Sequence, residues 1–393
     1  MDRFRLSVLR RIQDPATPAR HMEKRERLER YLEVSDLESV WFARPNAFAW
    51  LTGGSNVVDR ETDAGVAAVG YDGTGICVLA NTIEAERIVE EELPDLESES
   101  ITLEQFSWYD ASLEEAIADR AGDGRAAADI DVTGLERVDL ANLRQPLTRR
   151  DRERYRELAR ETTVAVEAVC RELRPDDTEH EVASALRVAL SGREIEAPVV
   201  LVGGSERAQR YRHYTPTDAQ LDAYALISVT AERGGLHASC TRTVAFDPPT
   251  WLEKRHEAAT RVETTALAAT QEAAARSDDA DTGTAGDVFA AIQGAYEAVG
   301  YPGEWERHHQ GGAAGFAGRE WIATPEHDAP VERPMAYAWN PTVQGAKSEG
   351  TVLVTENGLE PLTTTGDWPT TTASAVDREL ELERPGVLVL DAE

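Results

Sequence analysis

The sequence predicts an α/β chain of two domains, a small α/β domain over 1–147 followed by a larger α+β domain over 148–393. Three observations carry this. The chain has 393 residues, long enough for two cores. Strand and helix patterns alternate up to about residue 147, as in a small sheet covered by helices. Beyond it two long helical patterns are followed by a strand pair, and that order then repeats.

The first domain opens with "HMEKRERLERYLEVSD", a charged amphipathic helix. "LESVWFA" and "AGVAAVGY" read as buried strands, and "GICVLA" follows the turn signal "DGTG". "NTIEAERIVEEEL" reads as a helix capped by Asn81. Pro146 in "LRQPLTRRD" marks the joint, and Thr148 is placed to cap the next helix. In the second domain "TRRDRERYRELARETTVAVEAVCREL" and "DDTEHEVASALRVALS" are helices, the latter opened by Thr178 and Glu181 as a capping box. "EAPVVLVGG" is a strand. "YALISVTAERGGLHASCTRTVAF" is two strands joined by Gly234-Gly235. Two further helices, 250–274 and 285–300, lead to a second strand pair in "RPMAYAWNPTVQG" and "AKSEGTVLVTENGLEPLT".

Composition restricts the partners. The formal charge is −31, and the lysines are only Lys24, Lys254 and Lys347. An acidic, Lys-poor surface suits a haloarchaeal type of protein held in concentrated salt, where the Debye length falls to about 3 Å and self-repulsion is screened. No basic stripe exists to neutralise phosphates, so neither nucleic acid nor an anionic membrane is an expected partner. Cys77, Cys170 and Cys240 share no metal-type spacing. The N-terminus lacks an apolar signal core and no apolar run approaches the ~18 residues of a membrane span. A reduced, cytoplasmic protein is expected.

Four segments in order, "RHYTPTDAQL", "ASCTRTVAF", "HHQGG" and "KSEGTVLVTENGLEPLT", resemble the pita-bread superfamily of aminopeptidase P, prolidase, methionine aminopeptidase and creatinase. The first domain is similar to the N-terminal domain of creatinase and prolidase, with "RPNAFAWLTGG" matching a strand and turn there. The resemblance implies a site in which Asp, Asp, His, Glu and Glu hold two divalent metals, the two Asp eleven apart on a hairpin. Here that spacing falls on Ser228 and Ser239. The His matches His309, or His308 if the glycine segment shifts by one residue. The first Glu matches Asn340 in "WNP" and the last matches Glu349.

Two divalent ions need anionic oxygens, and one carboxylate leaves most of their charge uncompensated. No metal and no other cofactor is therefore expected. Glu349 without metal must be protonated, paired, or bonded to a substrate cation. His213 matches the His that acts as general acid and base in creatinase, which works without metal, and an imidazole suits that work. His308 and His309 are adjacent, so on an extended segment they point apart and only one should face the pocket. Gly318-Arg319-Glu320 resembles a creatinase segment, and the planar fork of Arg319 suits a substrate carboxylate. Arg242 is expected to brace the hairpin floor. No base accompanies Ser239 or Cys240 as a nucleophile. Tyr337 and Trp339 alternate on one strand, with Trp339 placed to line the pocket.

Three functions follow from the resemblance. One is a metal-independent hydrolase of C–N bonds in a small amine, amide or peptide. Here His213 and His309 do the acid–base work, Glu349 holds a cationic group, and Arg319, His308, Asn340 and Trp339 bind substrate. A second is a non-catalytic relative that binds a small molecule, a short peptide or a partner protein. A third is an Xaa-Pro peptidase with atypical metal binding. A homodimer is expected, as usual for family members of this length. Trp50, Trp108 and Tyr109 are the candidate interface aromatics.

Overall fold

The computed structural model describes residues 8–10, 22–96, 101–138, 140–276 and 282–391. The chain divides into two compact units, Met1–Arg150 and Asp151–Glu393.

The first unit is a mixed seven-stranded sheet in the order Val8–Arg10, Ile101–Phe106, Ile76–Asn81, Ala67–Tyr71, Ser39–Phe42, Ala126–Ala128, Glu136–Arg137. Its central strands are buried on both faces, so they read as continuous apolar runs. Three expectations are corrected here. "RPNAFAWLTGG" is a helix, Pro45–Thr52, with Pro45 in its first turn and Gly53 closing it at φ 79°. Proline pre-sets that turn and glycine takes the left-handed cap without strain. Asn81 does not cap the 85–91 helix; its Oδ1 accepts from the Ile83 and Glu84 N–H groups in the turn before it. Trp50 is fully buried, packed edge-on to Phe42 at 5.8 Å, and offers nothing to an interface, whereas Trp108 and Tyr109 are exposed.

The second unit is a sheet with long helices, antiparallel except where Val387–Val389 pairs with Leu236–Ala245. The path runs Trp321–Ile322, Gly311–Ala314, Met335–Trp339, Gly350–Thr355, Leu236–Ala245, Tyr224–Arg233, Glu196–Gly204. The helices are Arg149–Arg171, Glu179–Ser191, Leu252–Arg276 and Ala285–Ala298. The Thr178–Glu181 capping box is present in full, a feature worth about 1 kcal/mol. A second hairpin, Thr370–Ser374 with Glu381–Pro385, carries Arg384 onto Glu263 of the 252–276 helix. No sequence signal pointed to it.

Register explains the two serines. Across the Gly234-Gly235 turn, Ser228 pairs with Thr241 and Thr230 with Ser239. Side chains alternate between faces, so these four hydroxyls share one face on two rungs that flank Val229↔Cys240. Cys240 and Arg242 point to the other face.

Candidate functional site

The hydroxyl face meets three segments. Glu349 precedes the 350–355 strand, which pairs with the hairpin at Cys240↔Gly350, and the Thr241 N–H donates to the Glu349 carbonyl at 3.0 Å. Lys347 ends a two-residue strand paired with Thr342. Arg319 arrives from the loop after Gly311–Ala314.

Glu349 is the centre, and it is buried. Lys347 Nζ lies 2.8 Å from Oε2, and an Arg319 guanidinium nitrogen lies 3.1 Å from Oε1. Thr241 Oγ1 donates to Oε2 at 2.8 Å. Burial alone would raise the Glu349 pKa, but the Lys347 ammonium and then the Arg319 guanidinium outweigh it and hold the carboxyl down at about 2. Of the three states open to this residue, the structure selects the paired one.

The ionised carboxylate fixes a direction on the hydroxyls. It only accepts, so the single hydroxyl hydrogen of Thr241 goes to Glu349. Ser228, 2.7 Å away, must then donate to Thr241, and Tyr214, 3.1 Å from Ser228, must donate to Ser228. Ser228 is thus a relay of a hydrogen-bond chain ending on Glu349. Ser239 lies 3.0 Å from Thr230 Oγ1 and accepts from Arg319 at 3.3 Å.

The histidines flank this centre. The His309 ring lies 6.0 Å from His213 and 6.2 Å from His308. His213 is exposed; the other two are partly buried. Burial, reinforced by Lys347, holds the His308 pKa down at about 3. Burial, reinforced by Arg319, holds that of His309 at about 4. Both are neutral at physiological pH. Gln310 props the segment: its side-chain amide donates to the His308 carbonyl at 2.8 Å, and its own carbonyl receives the Asn340 N–H at 3.0 Å.

The structure therefore brings Ser228, Ser239, Arg319 and Glu349 into one bonded cluster with the three histidines and Asn340 around it. Trp339 takes no part in its hydrogen bonds. It is fully buried, stacked with Tyr337 at 6.4 Å, and its indole donates to Thr270. Cys240 is fully buried, and burial pushes its thiol up to about 11, which leaves no thiolate. Sequence reasoning missed Lys347, Thr241 and Tyr214. The first left a signal: a Lys in "AKSEG" is conspicuous in a chain with only three.

The donor set does not suit two divalent ions. It offers one carboxylate, whose two oxygens already receive an ammonium, a guanidinium and a hydroxyl. Among the described residues no group of three or more His, Cys, Asp or Glu is placed to hold a metal ion. No helix among them is long and apolar enough to cross a membrane.

Residues 153–356 match the model of metallopeptidase family M24. No curated protein matches the chain. Among solved structures, the prolidase from Pyrococcus furiosus is 18% identical, with 86% of this chain and 99% of that chain covered and a TM-score of 0.68. Dipeptidase PepE from Mycobacterium ulcerans is 16% identical, with 95% and 99% covered and a TM-score of 0.70. The N-terminal domain of FACT complex subunit SPT16 from chickpea, Cicer arietinum, is 13% identical, with 88% and 96% covered and a TM-score of 0.63. At such identities the likeness concerns the fold, which is the pita-bread fold after a small α/β domain. The family match spans more than half of the chain and includes both strands of the hydroxyl-bearing hairpin and Glu349: this chain belongs to metallopeptidase family M24.

Proposed function

We propose that this chain is a metal-free member of the M24 family that works by binding a small ligand and does not carry out two-ion peptide hydrolysis. The observation that carries the reading is the occupancy of Glu349: Lys347, Arg319 and Thr241 fill both carboxylate oxygens from within the chain. Lys347 stands where a substrate cation would meet Glu349, and Glu349 takes part of the Arg319 guanidinium that a substrate carboxylate would meet. That weakens the hydrolase reading in favour of binding. The likeness of the fold to both peptidases and a complex subunit is compatible with either, since fold does not fix function.

Titration calorimetry with Mn²⁺, Co²⁺ and Zn²⁺ tests this. The expected result is no site tighter than about 10 μM and no turnover of Xaa-Pro peptides. Two ions bound stoichiometrically, with hydrolysis, overturn it. A metal-independent hydrolase is favoured by one observation, the exposed His213 ring 6.0 Å from the neutral His309. It requires a turnover that His213→Gln abolishes.

Three further properties belong to this proposal: a cytoplasmic location, adaptation to high salt, and a homodimer. Light scattering in molar potassium chloride should give about twice the 43.1 kDa chain mass. A monomer at every concentration removes the dimer.

A further inference from the structure

The cluster around Glu349 has a charge surplus and an unfinished set of hydrogen bonds. Lys347 and Arg319 are two cations on one carboxylate. Arg212 is balanced by Glu304 at 2.6 Å, and Glu320 turns its carboxylate to the Phe316 N–H at 2.8 Å. The bonded triad therefore keeps one positive charge, inside a chain whose formal charge is −31.

Around it, five buried atoms make no hydrogen bond within the protein: Arg212 Nε, Arg319 Nε, His308 Nε2, His309 Nδ1 and Asn340 Oδ1. Leaving such groups unpaired is costly. Their chemistry divides. The two arginine nitrogens can only donate. Asn340 Oδ1 accepts. His308 Nδ1 lies on the His309 carbonyl and must donate to it, so in the neutral ring Nε2 is an acceptor. The set asks for a molecule with both an anionic oxygen and an N–H or O–H. His213 is exposed and Arg319 and His309 partly so, so the cluster reaches the surface on that side.

An ammonium group finds no counter-charge here, because Lys347 already occupies the one available carboxylate. We propose, building on the binding reading above, that the Lys347–Glu349–Arg319 cluster receives a small carboxylate carrying an N–H or O–H but no free amine. Its carboxylate serves the arginine N–H groups, and its one donor serves His308 Nε2 or Asn340 Oδ1. The ligand is a net anion, and zwitterionic amino acids and peptides with a free N-terminus are excluded.

The test is calorimetry on the full chain at fixed potassium chloride, with N-acetylglycine against glycylglycine. The two share the amide N–H and the carboxylate and differ in the ammonium. The expected result is that N-acetylglycine binds at least about tenfold tighter. In Lys347→Met, which frees Glu349, the preference should reverse toward glycylglycine. Lys347→Gln repeats the experiment should the Met variant not fold. Equal or better binding of glycylglycine to the native chain overturns the ligand class and leaves the binding reading standing. No binding of either probe, with ordered water on the five atoms in a crystal structure, overturns the inference. The binding reading itself falls on turnover, metal-dependent or metal-independent, measured separately.

Discussion

Two buried charge clusters lie on opposite faces of the same hairpin. On one, Arg242 places its guanidinium on Glu167 at 2.7 and 2.9 Å, on the Thr241 carbonyl at 2.9 Å and on the Thr363 carbonyl at 2.9 Å, and its plane lies over Trp368. Glu167 receives Thr365 at 2.6 Å through its second oxygen. This cluster ties a helix, a strand and the C-terminal segment together and is saturated. On the other face Glu349 is saturated too, but the groups around it are not. The five unpaired polar atoms around Glu349 set the two faces apart, and the contrast separates the floor of the sheet from its candidate site.

The largest effect is expected on the saturated face. Glu167→Leu leaves Arg242 buried without its counter-charge, and removing one member of a buried pair costs about 3–5 kcal/mol. Guanidinium unfolding should read that loss, and the double variant Arg242→Met with Glu167→Leu should recover most of it. A loss below about 1 kcal/mol for the single change would mean the floor is not held by this pair.

On the site face, Lys347→Met removes one of two cations from Glu349 and leaves Arg319 in place, so the expected cost is smaller, about 2–3 kcal/mol. Adding Glu349→Gln should restore part of it. The Glu349 pKa is held below its ordinary 4.5, so its contribution to stability is present above pH 4.5 and lost as pH falls toward about 2. In Lys347→Met that acid transition should move upward. If the pH dependence of unfolding is unchanged, Lys347 is not the counter-charge.

The same cations determine what added carboxylates can achieve. Ser228→Asp, Ser239→Asp and Asn340→Glu add anionic oxygens of the kind divalent ions need. With Lys347 and Arg319 in place the new charges meet these cations first, so the triple variant alone should melt at the same temperature with or without Mn²⁺. Adding Lys347→Met should make melting metal-dependent, by about 2.7 kcal/mol of stability at a hundredfold excess over Kd. A metal-linked shift in the triple variant alone would mean that Lys347 does not stand in the way.

The fold and half of the site were legible in the sequence because they rest on local signals. Helix and strand periods, the Thr178 capping box and the eleven-residue spacing of Ser228 and Ser239 are all readable in one dimension. Pairing across long separations is not. Thr241 meets Glu349 over 108 residues, and Arg384 meets Glu263 over 121. The sequence put Ser228, Ser239 and Glu349 into one expected site without showing that Lys347 would pair with Glu349. "RPNAFAWLTGG" went the other way: an apolar run of this length fits a buried strand or a short helix equally well, and Pro45 and Gly53 decide for the helix.

The histidines offer a gentler probe of the site face. His308 and His309 are held neutral, with pKa values near 3 and 4 against 6.5 in a free side chain. Below pH 6.5 the unfolded chain takes up protons that the folded chain refuses, so stability falls as pH drops from 6.5 toward 4. The slope is about 1.4 kcal/mol per pH unit for each histidine. His308→Asn should remove its share of the slope. Retention of the full slope would place the proton uptake elsewhere, with His256, also buried and held near 4, the first alternative.

The smallest change addresses the question that the two serines raise. If Ser228 relays a hydrogen bond from Tyr214 through Thr241 to Glu349, Ser228→Ala breaks the chain without touching a charge. Thr241 then loses its donor but keeps its bond to the carboxylate, and the Tyr214 hydroxyl is left buried without its acceptor. The expected loss is about 1 kcal/mol, with a small rise in the Glu349 acid transition, because a hydrogen bond to the charged form helps to hold it charged. Ser239→Ala serves as the reference. It removes a hydroxyl that accepts from Arg319 at 3.3 Å but lies outside the relay, so it should cost stability without the same route to Glu349 through Thr241. An equal shift of the acid transition in both variants would reduce Ser228 to packing. A shift confined to Ser228→Ala would mean that the Ser228 hydroxyl serves the Glu349 carboxylate through Thr241.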